Sequence, residues 1–507
     1  MKNKSKAPCI AILGTGSDVG KSIVVTAICR FFADLGLRVA PYKSQNMSNN
    51  SGVTPEGLEM GRAQIVQAEG AGVVPHVDMN PILLKPTSDV GSQVIVNGLV
   101  WQNCSAGSYH KKKKELFAVA TEALDRLRDK YDLVVIEGAG SCAEVNLMTH
   151  DIVNFKIAEY AEAPVILVGD IHRGGVFAQI AGTLDCIPDS CRKLVQGVII
   201  NRFRGDISLF HDGVQWIENK TQKKVLGVLP WYTHIEIEAE DSVVIEQVSK
   251  KLPDHPENHL LAVIRLPHIA NFNDIDPLLH LKGLDVHFLD RVCDLDKAGA
   301  IIIPGSKNTR ADLLWLHKQG WSDAIKTYVD NGGYVFGICA GYQIMGKKVV
   351  DPEGFEGKPG ETEGLSLIPV ETVLTAPKMT SLSRFRWQES EGFGYEIHMG
   401  HTTVPKGRHP FRIKERNAEP VDFPDGCLSE NNRCIGTYLH GFFNSAEITQ
   451  KWLHMIGMDS VSCEKDRGLE ERNKQYDLLA DHLKKYIDVD YLKGLVHYNS
   501  SGCFSGS

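Results

Sequence analysis

The sequence predicts an α/β protein built from two doubly wound units in tandem. Two observations carry that reading. Apolar runs of strand length alternate with helical segments in both halves of the chain, and in each half one such run ends in a glycine-rich turn that opens a helix. The 507 residues leave room for two large units, or about three at roughly 150 residues each. Hydrophobic residues at 43% and charged residues at 23% describe an ordinary globular chain and exclude disorder throughout. With 55 basic and 63 acidic residues the formal charge is −8, which argues against a general nucleic-acid binder. No apolar run approaches the ~20 residues of a membrane helix, and the start, MKNKSKAPCIAILGTG, is a poor signal peptide. The expected compartment is the cytoplasm. Twelve cysteines lie scattered without CxxC pairs, so neither a disulfide framework nor a zinc site is expected.

In chain order, Pro8–Leu13 reads as an apolar strand, 14–20 as a turn, Lys21–Leu35 as a helix and Arg38–Tyr42 as a second strand. Asp132–Ile136, Val165–Val168 and Leu194–Ile200 are further buried strands. Their near-continuous apolar character, without polar alternation, implies a parallel sheet covered on both faces. The first unit, 1–240, ends where GVLPWYTHIEIEAE leaves a strand for an extended charged stretch. A linker, 241–259, includes the polar SKKLPDHPENH. A second unit, 260–450, carries candidate strands at Leu260–Ile264, Val286–Phe288, Ala300–Ile303 and Tyr334–Phe336. Residues 351–364, rich in Gly, Glu and Pro, read as a surface loop. Helical spacing returns at Ala446–Ile456 and Glu470–Ile487, so 451–507 reads as a helical extension with a frayed tail, SSGCFSGS. The basic run His110–Lys114 reads as a solvated face.

GTGSDVGKS follows the first strand and opens the first helix. Gly14, Thr15, Gly16, Ser17, Asp18, Val19, Gly20, Lys21 and Ser22 therefore form a phosphate-binding loop. Its glycines let backbone N–H groups close around phosphate oxygens, and the helix N-terminus adds its positive dipole end. Lys21 is placed to reach the β- and γ-phosphates and Ser22 to hold Mg²⁺. The outer glycine lies one residue further out than in GxxxxGK[ST]. In LVVIEGAGS, Glu137 ends a strand at the sheet edge where ligands bind, as a second candidate for the metal. Lys43, at the end of the second strand, is placed to face a phosphate.

In the second half YVFGICAGYQIMG runs from a strand into Gly-Ile-Cys-Ala-Gly and then a helix. This is a nucleophile elbow with Cys339 in the nucleophile position. Flanking glycines relieve crowding in the turn, the helix N-terminus favours thiolate, and the Ala340 N–H is placed as an oxyanion donor. Gly305, in the glycine turn after Ala300–Ile303, is the expected second donor. A cysteine nucleophile needs a base. His440 is the first candidate, with His398 and His401 as alternatives.

Together these segments resemble the cobyric acid synthase family of glutamine-dependent amidotransferases. The resemblance spans about residue 8 to about 487 and also includes PYKSQNMSNNSGVT, MGRAQIVQAEGAGV, DMNPILLKPTSDVGSQVIVNG, INRFRGD, IIPGSKNT and GTYLHGFF. KSQNMSNN and DMNPILLKP separate it from the neighbouring cobyrinic acid a,c-diamide synthases, the first alternative reading. A P-loop regulatory ATPase with a decayed second half is another, against which the intact GICAG and YLHG argue. The resemblance implies a first domain similar to dethiobiotin synthetase and a second of the class I glutaminase type. It implies Cys339 as nucleophile, His440 as base, and Lys21 and Ser22 as phosphate and magnesium contacts. The reactants it implies are ATP with Mg²⁺, glutamine as nitrogen donor, and adenosylcobyrinic acid a,c-diamide, amidated at the b, d, e and g carboxylates through acyl phosphates. Gln45, Asn46, Ser48 and Asn49, after the second strand, are then the expected corrinoid contacts. Four positions depart from what the resemblance leads one to expect. Phe442 stands where many such glutaminases place a triad glutamate, Ala340 replaces a glycine, Asn46 replaces a metal-binding aspartate, and His172 stands in place of an aspartate.

Overall fold

The computed structural model describes residues 6–88, 91–238, 251–254, 256–404 and 408–497. Most of the expected linker and the tail from 498 lie outside these residues.

Two six-stranded sheets organise the chain. In the first the order is Lys224–Pro230, Val195–Phe203, Val165–Asp170, Cys9–Gly14, Leu133–Glu137, Val39–Tyr42, and every pairing is parallel. Its composition follows from two-sided burial. Along Cys9–Gly14 the side chains of Cys9, Ala11 and Leu13 enter one apolar core while Ile10 and Ile12 enter the other. Val134 and Ile136 likewise oppose Leu133 and Val135. With both faces dry, no position on these strands has to be polar, which is why the runs read so cleanly.

The second sheet has the order Leu284–Leu289, His259–Ile264, Ala300–Ile303, Tyr334–Ile338, Cys434–Thr437, Cys427–Leu428, parallel except for its last pair. Leu260, Ala262 and Ile264 face one core, and Leu261 and Val263 the other. Loops at the carboxyl ends of both sheets carry the motifs.

Three features go beyond the expected elements. A mixed sheet of Gln45–Met47, Ile82–Ser88, Gly91–Val96 and Leu99–Ser105 extends the first unit. An antiparallel layer, Glu419–Asp425, Phe411–Arg416, Met379–Trp387, Ser390–His398, extends the second and ends on the two-residue strand Leu439–His440. Pairing of Tyr395 with His440 in this layer sets the position of that histidine. Third, 351–364 is not a free surface loop. Lys348–Asp351 and Gly360–Glu363 pair antiparallel, and the Asp351 carboxylate accepts the N–H groups of Gly354, Phe355 and Glu356 at 2.8, 2.9 and 2.8 Å. That carboxylate folds the turn back onto the second sheet.

The helix Leu469–Tyr486 returns to the first unit and packs on the helix Lys21–Asp34. Leu479 and Leu483 enter the first unit's core, and Arg472 and Tyr476 bond to Glu69 at 2.8–2.9 Å. Gly227 has no room for a side chain here, since a Cβ would stand 2.0 Å from the Tyr486 carbonyl oxygen. Within the long helix Ala106–Lys130, Lys111, Lys112 and Lys114 are exposed, as expected. The two units also meet directly: Asn271 Oδ1 accepts from the Ser51 N–H at 3.0 Å, and Asn50 Oδ1 from the Phe272 N–H at 3.2 Å.

Candidate active sites

The first site forms where Cys9–Gly14 ends. Gly14 is required by a close approach, because a Cβ would lie 2.8 Å from both Gly16 O and Lys21 Nζ. Gly20, at φ 88°, turns the chain into the helix. Its position is packed by Asn201, whose amide donates to Val19 O at 2.9 Å. Lys21 folds over the loop and donates to the carbonyls of Gly16 and Gly140 at 3.1 and 2.8 Å. Glu137 is fully buried at the end of its strand. One carboxylate oxygen accepts from Ser22 Oγ and Lys43 Nζ, each at 2.9 Å, and the other from the Gln67 side-chain amide. Buried carboxylates persist only when paired, and this one is fully paired. Lys43 is thus set against Glu137, one step from the loop. Ser22 and Glu137 offer two hard oxygens side by side, which suits Mg²⁺, an ion that takes one or two protein ligands and completes its shell with phosphate and water. Asp170 at the end of its strand accepts from Arg202 at 3.0 Å. His172 lies outside this cluster and packs on the Trp231 ring at 5.0 Å.

The second site is the elbow. Cys339 sits at φ 54°, ψ −108°, a region an L-residue occupies only when its surroundings impose it. The glycines on either side allow the turn: a Cβ at Gly341 would stand 1.9 Å from Ile303 O, and one at Gly337 2.4 Å from Met345 Sδ. The thiol donates to Ile397 O at 3.3 Å and lines one cleft with the His440 imidazole. His440 Nδ1 donates to Asp274 Oδ2 at 2.7 Å, while Asp274 Oδ1 accepts the Gly441 N–H at 2.7 Å. The Tyr395 ring stacks on the imidazole at 4.9 Å. Burial by itself would lower this imidazole's pKa, but the Asp274 carboxylate and the Cys339 sulfur outweigh it and push it up to about 10. The sulfur therefore faces an imidazolium, the arrangement that activates a cysteine. Of the alternatives, His398 is held down to about 4, mainly by burial, and stacks on Tyr438, and His401 is exposed on a short strand. Gly305 and Ala340 line the same narrow cleft as Cys339 and His440.

Two comparisons follow this geometry. Residues 10–244 match the CobQ/CobB/MinD/ParA nucleotide binding domain, and 261–448 the CobB/CobQ-like glutamine amidotransferase domain. The chain is 48% identical to a cobyric acid synthase of Chlorobium chlorochromatii, with 97% of each chain covered. It is 48% identical to one of Chlorobaculum tepidum, covering 97% of this chain and 99% of that one, and 45% identical to one of Chloroflexus aurantiacus, covering 94% and 97%. The chain belongs to the cobyric acid synthase family. It is a ligase of the glutamine amidotransferase kind, with the nucleotide-binding unit first and the amidotransferase unit second.

The four expected corrinoid contacts separate in space. Ser48 and Asn49 line a cavity of 590 Å³ between the units, together with Asn50, Arg265, Phe272 and Trp315. Asn46 is buried and donates to Gln64 Oε1 at 3.0 Å, and Gln45 accepts from the Tyr109 hydroxyl. Asp274 was not among the residues singled out from the sequence. It comes from ANFNDIDP after His259–Ile264, a loop at the carboxyl edge of the sheet, and its place there was the available signal. Gln67 lay inside a quoted motif, but only the fold shows that it faces Glu137. No group of three or more His, Cys, Asp or Glu suited to a metal occurs among the described residues. No helix among them is long and apolar enough to cross a membrane.

Proposed function

We propose that this chain amidates the b, d, e and g carboxylates of adenosylcobyrinic acid a,c-diamide in the cytoplasm, using ATP, Mg²⁺ and glutamine. A carboxylate resists ammonia because its carbonyl is electron-rich and its leaving group is oxide. Transfer of a phosphoryl group to it gives an acyl phosphate that ammonia can attack. In this reading the loop Gly14–Ser22 cradles the phosphates, with Lys21 swinging from its carbonyl partners onto the β- and γ-phosphates. Ser22 and Glu137 would hold the metal ion, which when bound neutralises charge on the transferring group. Lys43 donates to Glu137 and holds its carboxylate beside Ser22.

At the second site Cys339 attacks the glutamine amide, and the Ala340 and Gly305 N–H groups receive the developing oxyanion. His440 gives its proton to the departing ammonia, held in orientation by Asp274. The resulting glutamyl thioester hydrolyses to glutamate and frees the thiol. The corrinoid is assigned to the inter-unit cavity beside Ser48 and Asn49, and Gln45 and Asn46 act by shaping that segment from behind. The proposed division is a synthetase unit at 1–240, a linker at 241–259, a glutaminase unit at 260–450 and an extension at 451–507 whose long helix serves the first unit.

The observation that carries this reading is the coexistence on one chain of the Lys21–Ser22–Glu137 cluster and the Cys339–His440–Asp274 cluster. The test separates nitrogen sources. Cys339→Ser is expected to lose amidation from glutamine and keep amidation from added ammonium, whereas Lys21→Ala loses both. Folded Cys339→Ser protein inactive with either source, or Lys21→Ala protein active with ammonium, would refute the division of labour.

A further inference from the structure

Asn271 stands at the join of the two units and is 3% exposed. It occupies the left-handed region, φ 52° and ψ 43°, which asparagine enters more readily than most residues. Its side-chain amide has two unlike ends, since the oxygen only accepts and the nitrogen only donates. The Ser51 N–H of the first unit donates to Oδ1 at 3.0 Å, so the oxygen must lie on that side. Nδ2 is thereby turned towards His440 Nε2, 3.4 Å away. The next residue is tied to the first unit as well, through the Phe272 N–H and Asn50 Oδ1.

His440 is therefore pulled two ways. The Asp274 carboxylate at Nδ1 and the Cys339 sulfur favour the imidazolium. An amide N–H aimed at Nε2 favours the neutral ring, because it needs a lone pair there. The other groups around the pair do not decide between the forms. The Tyr395 ring lies against the imidazole face, and His398, held down to about 4 by burial, is uncharged near neutrality. Lys307 acts on the sulfur, and burial weakens its own ammonium. An imidazolium favoured without limit would keep the sulfur ionised yet be a reluctant acid. The reaction needs a ring that holds a proton and then gives it up.

We propose that Asn271 is a positioning residue of the amidotransferase site, oriented by the first unit to steady His440 as the neutral imidazole left when ammonia departs. The proposal rests on the amidotransferase reading above and adds a residue to it. Once the Cys339 sulfur has bonded to the amide carbon, the C–N bond breaks and its electron pair goes to nitrogen. The Nε2 proton passes to that nitrogen, and the oxyanion becomes a carbonyl again. The ring is left with a lone pair at Nε2, which the Asn271 N–H meets. Asp274 draws the proton onto the ring and Asn271 eases its release. Ser51 belongs to the nucleotide-binding unit, so this balance is set from across the join.

Asn271→Asp in the full chain is the test. It keeps the shape, the acceptor for the Ser51 N–H and a residue tolerant of the left-handed backbone, and it puts an acceptor where the donor stood. Two quantities are read: the pH profile of Cys339 alkylation by iodoacetamide, followed on its peptide by mass, and the kinetics of glutamine hydrolysis. The alkylation midpoint is expected to move down by about one pH unit. Over the same change kcat is expected to fall about tenfold, with KM for glutamine within about twofold. A residue that only packed the loop would not make the thiol more reactive while slowing turnover. Asn271→Gly, which also accepts the left-handed backbone and removes the donor, is expected to move both quantities the same way by less, and it decides the matter if Asn271→Asp does not fold. An unmoved or raised alkylation midpoint in folded variants, or unchanged turnover, would overturn the role of Asn271. Wild-type glutamine hydrolysis that survived Cys339→Ser would instead overturn the amidotransferase reading itself.

Discussion

Asp274 acts on His440 through charge, which gives the pair a pH signature. An unfolded histidine releases its proton near 6.5, whereas the folded His440 keeps it up to about 10. Native protein thus binds the extra proton between those values. The stabilisation it brings is complete below about 6.5 and is lost as pH rises towards about 10. Asp274→Asn removes the carboxylate that holds this proton. The stability gap between wild type and variant is expected to be on the order of a few kcal/mol at about pH 6 and to shrink towards about pH 10. Unfolding midpoints at the two pH values measure it, and a gap that stays constant would contradict the assignment. The same substitution is expected to lower the rate of glutamine hydrolysis. The sequence showed Cys339 and His440 because each follows a short apolar strand in a glycine-bounded motif. It did not show Asp274, because 166 residues separate it from His440 and only the sheet brings them together.

At the scale of elements, both sites depend on strand-to-helix turns that exclude side chains. Gly341→Ala is the sharpest case, since the added methyl meets the Ile303 carbonyl at 1.9 Å. The backbone must shift at the turn that aims Cys339, at a cost of about 3 kcal/mol. Loss of glutaminase activity with retained ammonium-dependent amidation is the expected outcome, read by the two assays side by side. The parallel strands were legible because both of their faces are dry. The antiparallel layer was not. In Met379–Trp387 the inward positions include Ser381 and Ser383, which bond to the buried Glu396 with Arg416 beside it, so no apolar alternation marks the strand. The segment 351–364 is exposed over much of its length, as its Gly, Glu and Pro content suggests, but Asp351 gathers three N–H groups that the composition does not announce and brings Phe355 and Glu356 to the cleft.

Across the whole molecule, the chain closes on itself. The helix Leu469–Tyr486 follows the amidotransferase unit in sequence yet completes the core of the nucleotide-binding unit. Leu483→Ala should therefore destabilise the first unit, by about 2–5 kcal/mol. Calorimetry would locate the effect, which should fall on the transition that nucleotide stabilises. The residues joining the units, Asn50 and Ser51 on one side and Asn271 and Phe272 on the other, tie the cavity between the units to the loop that bears Asp274. Incubation of the purified chain with ATP, Mg²⁺, glutamine and adenosylcobyrinic acid a,c-diamide, followed by mass measurement of the corrinoid, bears on the entire scheme. Four carboxylates converted to amides, with glutamate released in step, is the predicted product. An unchanged corrinoid beside a chain that still hydrolyses ATP would contradict it.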